Sequence, residues 1–257
     1  MILTGDYHTH TVYSHGKGTI EQSATVAKER GLKEICISDH GFSHPIFGLT
    51  KRKLPKMRQD IKEATEKTGV KILLGIESNF IGTDGTVDLK AKDYDKFDTF
   101  LAGMHKLVLF KVGTLFSTGV PNLFYSFFKD PSVPKSLIDR NTKTYINVIK
   151  KNPIDVLTHV GFCCPCNVVE VAKALADYGT YLELNAKKTH LTDEELFAVS
   201  QTGVRFLINS DAHSPDRVGE ISLVEKALSR ISFPLEKIDN IEGRSPKFRF
   251  SAFKGER

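Results

Sequence analysis

The stretch Gly5-Asp6-Tyr7-His8-Thr9-His10 decides how the rest of the chain is read. It begins as a β-like run and finishes on two histidines spaced two apart, which share a face on a strand, a device that Asp211 and His213 are expected to repeat at the other end of the chain. The pattern then recurs. Apolar, β-branched runs at 34–38, 71–76, 99–103, 155–158, 181–185 and 206–209 lead at or just past their ends into His40, Glu77, His105, His159, Asn185 and the pair Asp211 and His213. His15 stands in the loop after the first run. Seven of the nine histidines fall in this set, and packing alone gives histidines no reason to choose strand ends.

Helical periodicity fills the gaps, over 20–30, 54–68, 139–150, 168–178, 193–201 and 218–228. Seven strands alternating with helices make an α/β chain with a largely parallel sheet. Capping boxes pair Thr19 with Gln22 and Thr192 with Glu195 at two helix starts. Gly31, Gly69, Gly179 and Gly203 follow helical segments, where left-handed caps are expected. With no repeat or linker, residues 1–257 read as a single barrel-type domain. One segment, about 106–136, is too long for an ordinary βα connection. It carries Phe110, Phe116, Phe124, Tyr125, Phe127 and Phe128. It is expected to pack a small core of its own, to cover the site as a lid or to form a dimer contact, and its start beside His105 favours the lid.

Composition excludes several classes. The chain is 40% apolar and 26% charged, ordinary for a globular protein, and no run is long enough to span a bilayer. The N-terminus enters the first strand at once, which leaves no room for a signal peptide and points to the cytoplasm. The formal charge of +5 is mild and its lysines and arginines are dispersed. Cys36 alternates with Ile35 and Ile37 and is expected to be a buried, inert thiol. Cys163, Cys164 and Cys166 read as a thiol-rich loop, since no second pair completes a zinc site.

If the sheet curls into a barrel, the strand ends open on one face, where barrel enzymes keep their active sites. His8, His10, His15, His40, Glu77, His105, His159, Asp211 and His213 then converge. Nine imidazole and carboxylate ligands exceed what one ion uses and suggest about three divalent metals. Without thiolate, zinc is favoured, with manganese or iron as alternatives. Glu77 is the natural bridge, having one oxygen for each of two ions.

Those residues also carry a resemblance. Asp6-Tyr7-His8-Thr9-His10 with His15, Ser38-Asp39-His40-Gly41, Gly75-Ile76-Glu77, Gly103-Met104-His105, Thr158-His159-Val160-Gly161 and Ser210-Asp211-Ala212-His213 resemble the PHP (polymerase and histidinol phosphatase) family. The resemblance spans residues 6–213 and implies a distorted (β/α)7 TIM-like barrel with a trinuclear centre. By it, His8, His10, Glu77 and Asp211 would hold one metal, Glu77, His105 and His159 a second, and His15, His40 and His213 a third. Where many relatives read His-Pro-Gly, this chain has His159-Val160-Gly161.

The expected activity is hydrolysis of a small phosphomonoester, in which a metal-bridging hydroxide attacks phosphorus and Asp211 or a metal-bound water protonates the leaving group. Glu77 and Asp211 are thus the catalytic candidates. Lys17, Lys106, Lys187, Lys188 and Arg217 follow strand ends and are candidate phosphate contacts, Arg217 and Lys17 foremost because they follow ligand motifs closely; arginine's fork also suits phosphate. Asn185 is a candidate substrate hydrogen bond, whereas His44 and His190 are expected to face solvent. A histidinol-phosphatase-like activity is a narrower form of the same reading. The competing readings are a phosphodiesterase or 3′–5′ exonuclease on nucleic acid or nucleotides, and a non-enzymatic metal-binding scaffold. The expected partner is a small phosphorylated metabolite, with no membrane.

Overall fold

In the computed structural model, which describes residues 1–128 and 132–255, the seven runs form one parallel sheet in chain order. The strands are β1 (Gly5–Thr9), β2 (Glu34–Ile37), β3 (Lys71–Asn79), β4 (Thr99–Gly103), β5 (Val156–Leu157), β6 (Tyr181–Asn185) and β7 (Phe206–Asn209). Helices α1 (Ile20–Glu29) and α2 (Leu54–Thr68) follow the first two strands. After β4 come α3 (Val112–Thr114), a wider turn over Leu115–Gly119, α4 (Val120–Phe128) and α5 (Lys135–Lys151). The chain then forms α6 (Val168–Tyr178), α7 (Asp193–Ser200), α8 (Ser222–Leu228) and α9 (Arg249–Gly255). None of the described helices is long and apolar enough to cross a membrane.

Most elements lie where hydrophobic periodicity puts them, and both capping boxes form. Gly69 and Gly179 are left-handed caps, and Gly31 also has a positive φ. Gly203 does not, because α7 ends at Gln201 in ordinary right-handed geometry. The last predicted helix starts at Ser222 rather than 218. Residues Pro215–Arg217 make a separate tight turn, and the Gly219 N–H is turned inward to Asp6 Oδ2 at 2.9 Å. Helix α5 starts at Lys135, straight after Pro134, and α9 carries no periodic signal long enough to predict.

The inner face of the sheet is apolar at one end and polar at the other. Tyr7, Cys36, Leu101, Val156, Tyr181 and Leu207 fill the interior, while Ile35, Phe100, Leu182 and Phe206 face the outer helices. Two residues further along the same inward faces come Ser38, Gly103, Thr158, Glu183 and Asn209. Strand β1 is irregular here: Asp6 pairs with Ile35 and Thr9 with Ile37, so Tyr7 and His8 together oppose Cys36. Such a bulge re-aims side chains, and it lets Tyr7 plug the interior while His8 and His10 turn into the polar end. Cys36 is fully buried, with its Sγ 2.9 Å from Thr99 Oγ1, and burial pushes its thiol pKa up.

Strands β1 and β7 close the barrel without a continuous ladder, through a single bridge between Thr9 and Ala212. Buried side chains satisfy the remaining edge groups. Asn240 Nδ2 donates to Gly5 O at 2.8 Å and Ile208 O at 2.6 Å, and its Oδ1 accepts from Ile208 N at 3.0 Å. Tyr7 N donates to Asn209 Oδ1 at 3.0 Å, and Asp6 accepts from both the N–H and hydroxyl of Ser210.

The aromatic segment after β4 does not bury its rings as a separate core. Phe116, Phe124, Phe127 and Phe128 are exposed, and the buried residues of its helices are Thr114, Thr118 and Asn122. Asn122 and Asn141 exchange amide hydrogen bonds at 2.9 and 2.8 Å. The cysteine run packs beneath, with Cys163 to Cys166 all free, and burial pushes the Cys163 thiol up to about 12. At neutral pH that thiol stays protonated, which fits a packing role.

Replacing Asn240 with Ala strands three buried backbone groups at the seam. The expected cost is about 3 kcal/mol or more, at about 1–3 kcal/mol per unsatisfied group, read as a loss of urea midpoint without a change in slope.

Candidate metal centre

Barrel closure brings the polar strand ends together around Glu77, which is fully buried. His8 lies in β1, His10 just after it, His40 after β2, His105 after β4 and His159 after β5. The two oxygens of Glu77 face different imidazoles. Oε1 lies 2.8 Å from His159 Nε2 and 3.3 Å from His8 Nε2, and it accepts from Thr158 Oγ1 at 2.9 Å. Oε2 lies 2.9 Å from His40 Nδ1, 3.2 Å from His105 Nε2 and 3.7 Å from His10 Nε2. Gly103 makes room for this approach, since a Cβ there would meet His159 Cε1 at 2.8 Å.

Asp211 forms the second focus. Its Oδ1 lies 3.2 Å from His213 Nδ1, 3.4 Å from His10 Nε2 and 3.3 Å from Lys187 Nζ. Asp211 and His213 do not share a face by strand alternation, as β1 suggested by analogy. Strand β7 stops at Asn209 and Asp211 adopts a left-handed φ of 48°. The turn itself brings them together. His159 likewise has a φ of 29°, and strained backbone of this kind clusters at functional sites.

The donor atoms converge in three groups, each within 4.8 Å: His8, His10 and Asp211; His40, Glu77 and His105; His10, His40 and His213. His159 joins through Glu77. His15 stands apart in these groupings, its exposed ring stacked on Phe47 at 3.9 Å and 5.0 Å from His213. Several buried atoms lack a hydrogen-bond partner, among them Glu77 Oε2, His40 Nδ1 and both nitrogens of His105. Glu77 Oε2 and His40 Nδ1 are close but not aligned to bond each other. Unsatisfied buried polar atoms are costly, and lone pairs converging without mutual bonds fit divalent cations.

Electrostatics favours the ligating forms of Glu77, Asp211 and His10, whereas at His8 burial is outweighed by Glu183, Glu77 and Asp211, which hold its imidazole well above the ordinary value. Burial works to raise Glu77, but His105 and His8 outweigh it and hold the carboxyl well below its usual range. Burial is likewise outweighed at Asp211 by His8 and His10. Burial, reinforced by His40, holds His10 well below the ordinary imidazole value, hence neutral. Metal ligands must be deprotonated in this way.

A cavity of about 410 Å³ opens onto the cluster. Among the predicted substrate contacts it is lined by Lys106, Asn185 and Lys187, together with Lys188. Asn185 is already committed: its Nδ2 donates to Glu183 Oε2 and Asp211 Oδ2, and its Oδ1 accepts from the Lys187 and Lys188 amides. Lys17 and Arg217 do not line the cavity. Both are exposed. Lys17 is tied by its amide to His213 O, and Arg217 sits in the turn that Arg30 clamps through Asp216 O and Val218 O. Sequence proximity to a ligand did not translate into direction. His44 and His190, expected to face solvent, are half-buried cavity walls that burial pushes down to about 4. The 106–136 segment lends the cavity Lys106 and Leu107, and none of its aromatic rings lines it.

One functional residue escaped the sequence reading. Glu183, buried in β6, accepts from His8 Nδ1 at 2.7 Å, Asn209 Nδ2 at 3.0 Å, His159 N at 2.8 Å and Asn185 Nδ2 at 2.9 Å. The signal was an acid in the middle of Tyr181-Leu182-Glu183-Leu184-Asn185, on the face it shares with Asn185.

Fold and cluster define a parallel α/β barrel with a histidine–carboxylate centre at the C-terminal ends of its strands. The chain belongs to the PHP domain family, whose model matches residues 6–187. It is 29% identical to a protein of Caldanaerobacter subterraneus named a probable phosphatase, over 93% of this chain and 87% of that one. A probable phosphatase of Shewanella piezotolerans is 27% identical over 94% and 90% of the two chains. The histidinol phosphate phosphatase of Lactococcus lactis, solved with zinc, L-histidinol and phosphate, shares the fold with a TM-score of 0.60 and 17% identity, over 90% of this chain and 94% of that one.

A carboxylate that accepts from a ligand imidazole fixes its tautomer and orientation, and loss of such a partner costs about 10–100-fold in metal affinity. Glu183→Gln is therefore expected to weaken zinc binding by that factor in a chelator competition titration. Unchanged affinity would remove the orienting role.

Proposed function

We propose that this chain hydrolyses a small phosphomonoester at a cluster of three divalent ions, with zinc favoured and manganese or iron as alternatives. The observation that carries this reading is Glu77, whose two oxygens face different imidazole groups as a carboxylate bridging two ions would. His8, His10 and Asp211 with Glu77 are the ligands of the first ion. His105 and His159 with Glu77 serve the second. His40 and His213 with His15 serve the third. His40 also lies close to Glu77, so it stands between the second and third positions.

Bound ions would supply Lewis acidity and water activation for attack on phosphorus. The protein's part is to bind and orient. Lys187 Nζ, 3.0 Å from His213 Nδ1 and 3.3 Å from Asp211 Oδ1, projects a cation beside the ligands where a phosphoryl oxygen would lie. Asn185 holds the Lys187–Lys188 backbone in place. Asp211, kept ionised by its histidine neighbours, suits ligation better than donation of a proton to the leaving group. A cavity of about 410 Å³ fits a metabolite and lies in the range usual for small-molecule sites. The relatives named probable phosphatases support the same class of reaction. We also propose that residues 1–257 act as one barrel unit with the 106–136 segment as an insertion.

The test is metal content together with turnover. Chelation should abolish hydrolysis of p-nitrophenyl phosphate, and added zinc or manganese should restore it. Glu77→Ala should lower turnover at least about a hundredfold and remove at least one metal equivalent by elemental analysis, with circular dichroism unchanged. A metal-replete Glu77→Ala protein with full activity would refute the bridging role. Cleavage of only the bis-ester would favour a phosphodiesterase.

A further inference from the structure

The cavity lining is unbalanced in charge. The carboxylates lining it are Glu77 and Asp211, and both are taken up by the histidine cluster. Glu183 lies close behind, but each of its oxygens already accepts two hydrogen bonds. Among the described residues no carboxylate is left there to receive an ammonium group.

Three lysines line the same space, Lys106, Lys187 and Lys188. Lys187 belongs to the metal end, through its contacts with Asp211 and His213. Lys106 and Lys188 form no ion pair among the described residues, and Lys106 Nζ lies 5.6 Å from the centre of the Phe162 ring. Phe47, Leu107 and Phe162 make the wall apolar. A cleft with one sign of charge and apolar walls concentrates its field on whatever enters.

We propose that the organic part of the substrate carries a second anionic group, a carboxylate or a further phosphate, received by Lys106 and Lys188 while the scissile phosphate lies at the metal end. The proposal rests on the phosphomonoesterase reading above. It separates this chain from its Lactococcus neighbour, whose bound L-histidinol carries an amine.

Three aryl phosphates with leaving groups of nearly equal acidity isolate the charge: phenyl phosphate, 4-(2-carboxyethyl)phenyl phosphate and 4-(2-aminoethyl)phenyl phosphate. With the metal-loaded enzyme, kcat/KM should be about tenfold higher for the carboxylate than for phenyl phosphate, the size of a single-charge effect at a few ångströms in a partly screened site. It should be lowest for the amine. The difference should reside in KM and shrink as salt is raised. In the Lys106→Gln/Lys188→Gln double variant the carboxylate-to-phenyl ratio should fall towards one, and both side chains are exposed enough to change without touching the core. Equal kcat/KM for the three esters, a preference for the amine, or a ratio that survives in the double variant would overturn the second-anion assignment and leave the phosphatase reading intact. Turnover of none of them would overturn the phosphatase reading, and this proposal with it.

Discussion

A carboxylate with no exposure to solvent must be compensated where it lies, and Glu77 imposes that constraint on the barrel. An isolated buried charge costs many kcal/mol and is tolerated only when paired or metal-coordinated. The compensation comes from four different strand ends: His8 and His10 from β1, His40 from β2, His105 from β4 and His159 from β5. The same carboxylate that organises the site therefore ties together strands distant in sequence. Imidazoles packed this tightly repel one another once protonated, so one carboxylate cannot neutralise a charged cluster. Divalent ions would resolve the conflict by binding the neutral rings and the anion together.

That arrangement depends on the inward faces changing character along each strand. Tyr181, Glu183 and Asn185 share one face of β6, and Leu207 and Asn209 share one of β7, so apolar filling gives way to polar groups within one or two steps. Strand β1 meets the same demand differently, with a bulge that turns Tyr7 and His8 inward in succession. Beside β7 the described residues form no ladder, only the bridge from Thr9 to Ala212. Asp6, Asn209 and Asn240 take up the backbone groups left there.

The strands were legible because parallel, doubly covered strands read as apolar runs, and the convergence of the candidate ligands because they sit at or just past the ends of those runs, with His15, in the loop after β1, standing apart. Features created by direction were not legible. Lys17 and Arg217 are far nearer to candidate ligands in sequence than Lys187 is, yet of the three only Lys187 lines the cavity. Nothing in the spacing shows which way a turn faces. Glu183 was overlooked because an acid inside a strand reads as a solvent-facing residue until both faces are known to be covered. Asn240 lies far from every motif, and its role exists only once β1 and β7 are adjacent. The pairing of Asp211 with His213 was foreseen for the wrong reason, since a left-handed turn and not strand alternation sets it.

The segment after β4 divides its work between stem and helices. Its stem places Lys106 and Leu107 on the cavity wall directly after His105, while α4 turns its polar side inward, where Asn122 and Asn141 satisfy each other. A helix whose buried side is an amide pair has to leave its phenylalanines outside. Its influence on the chemistry is therefore confined to the residues nearest the ligand. The metal end is fixed by the geometry of the barrel, and a change there disturbs Glu77 and everything paired with it. Lys106 and Lys188, on loops beyond the strand ends, can alter without touching the cluster. On the proposed reading, selection among phosphate esters falls to the part of the site that the fold constrains least.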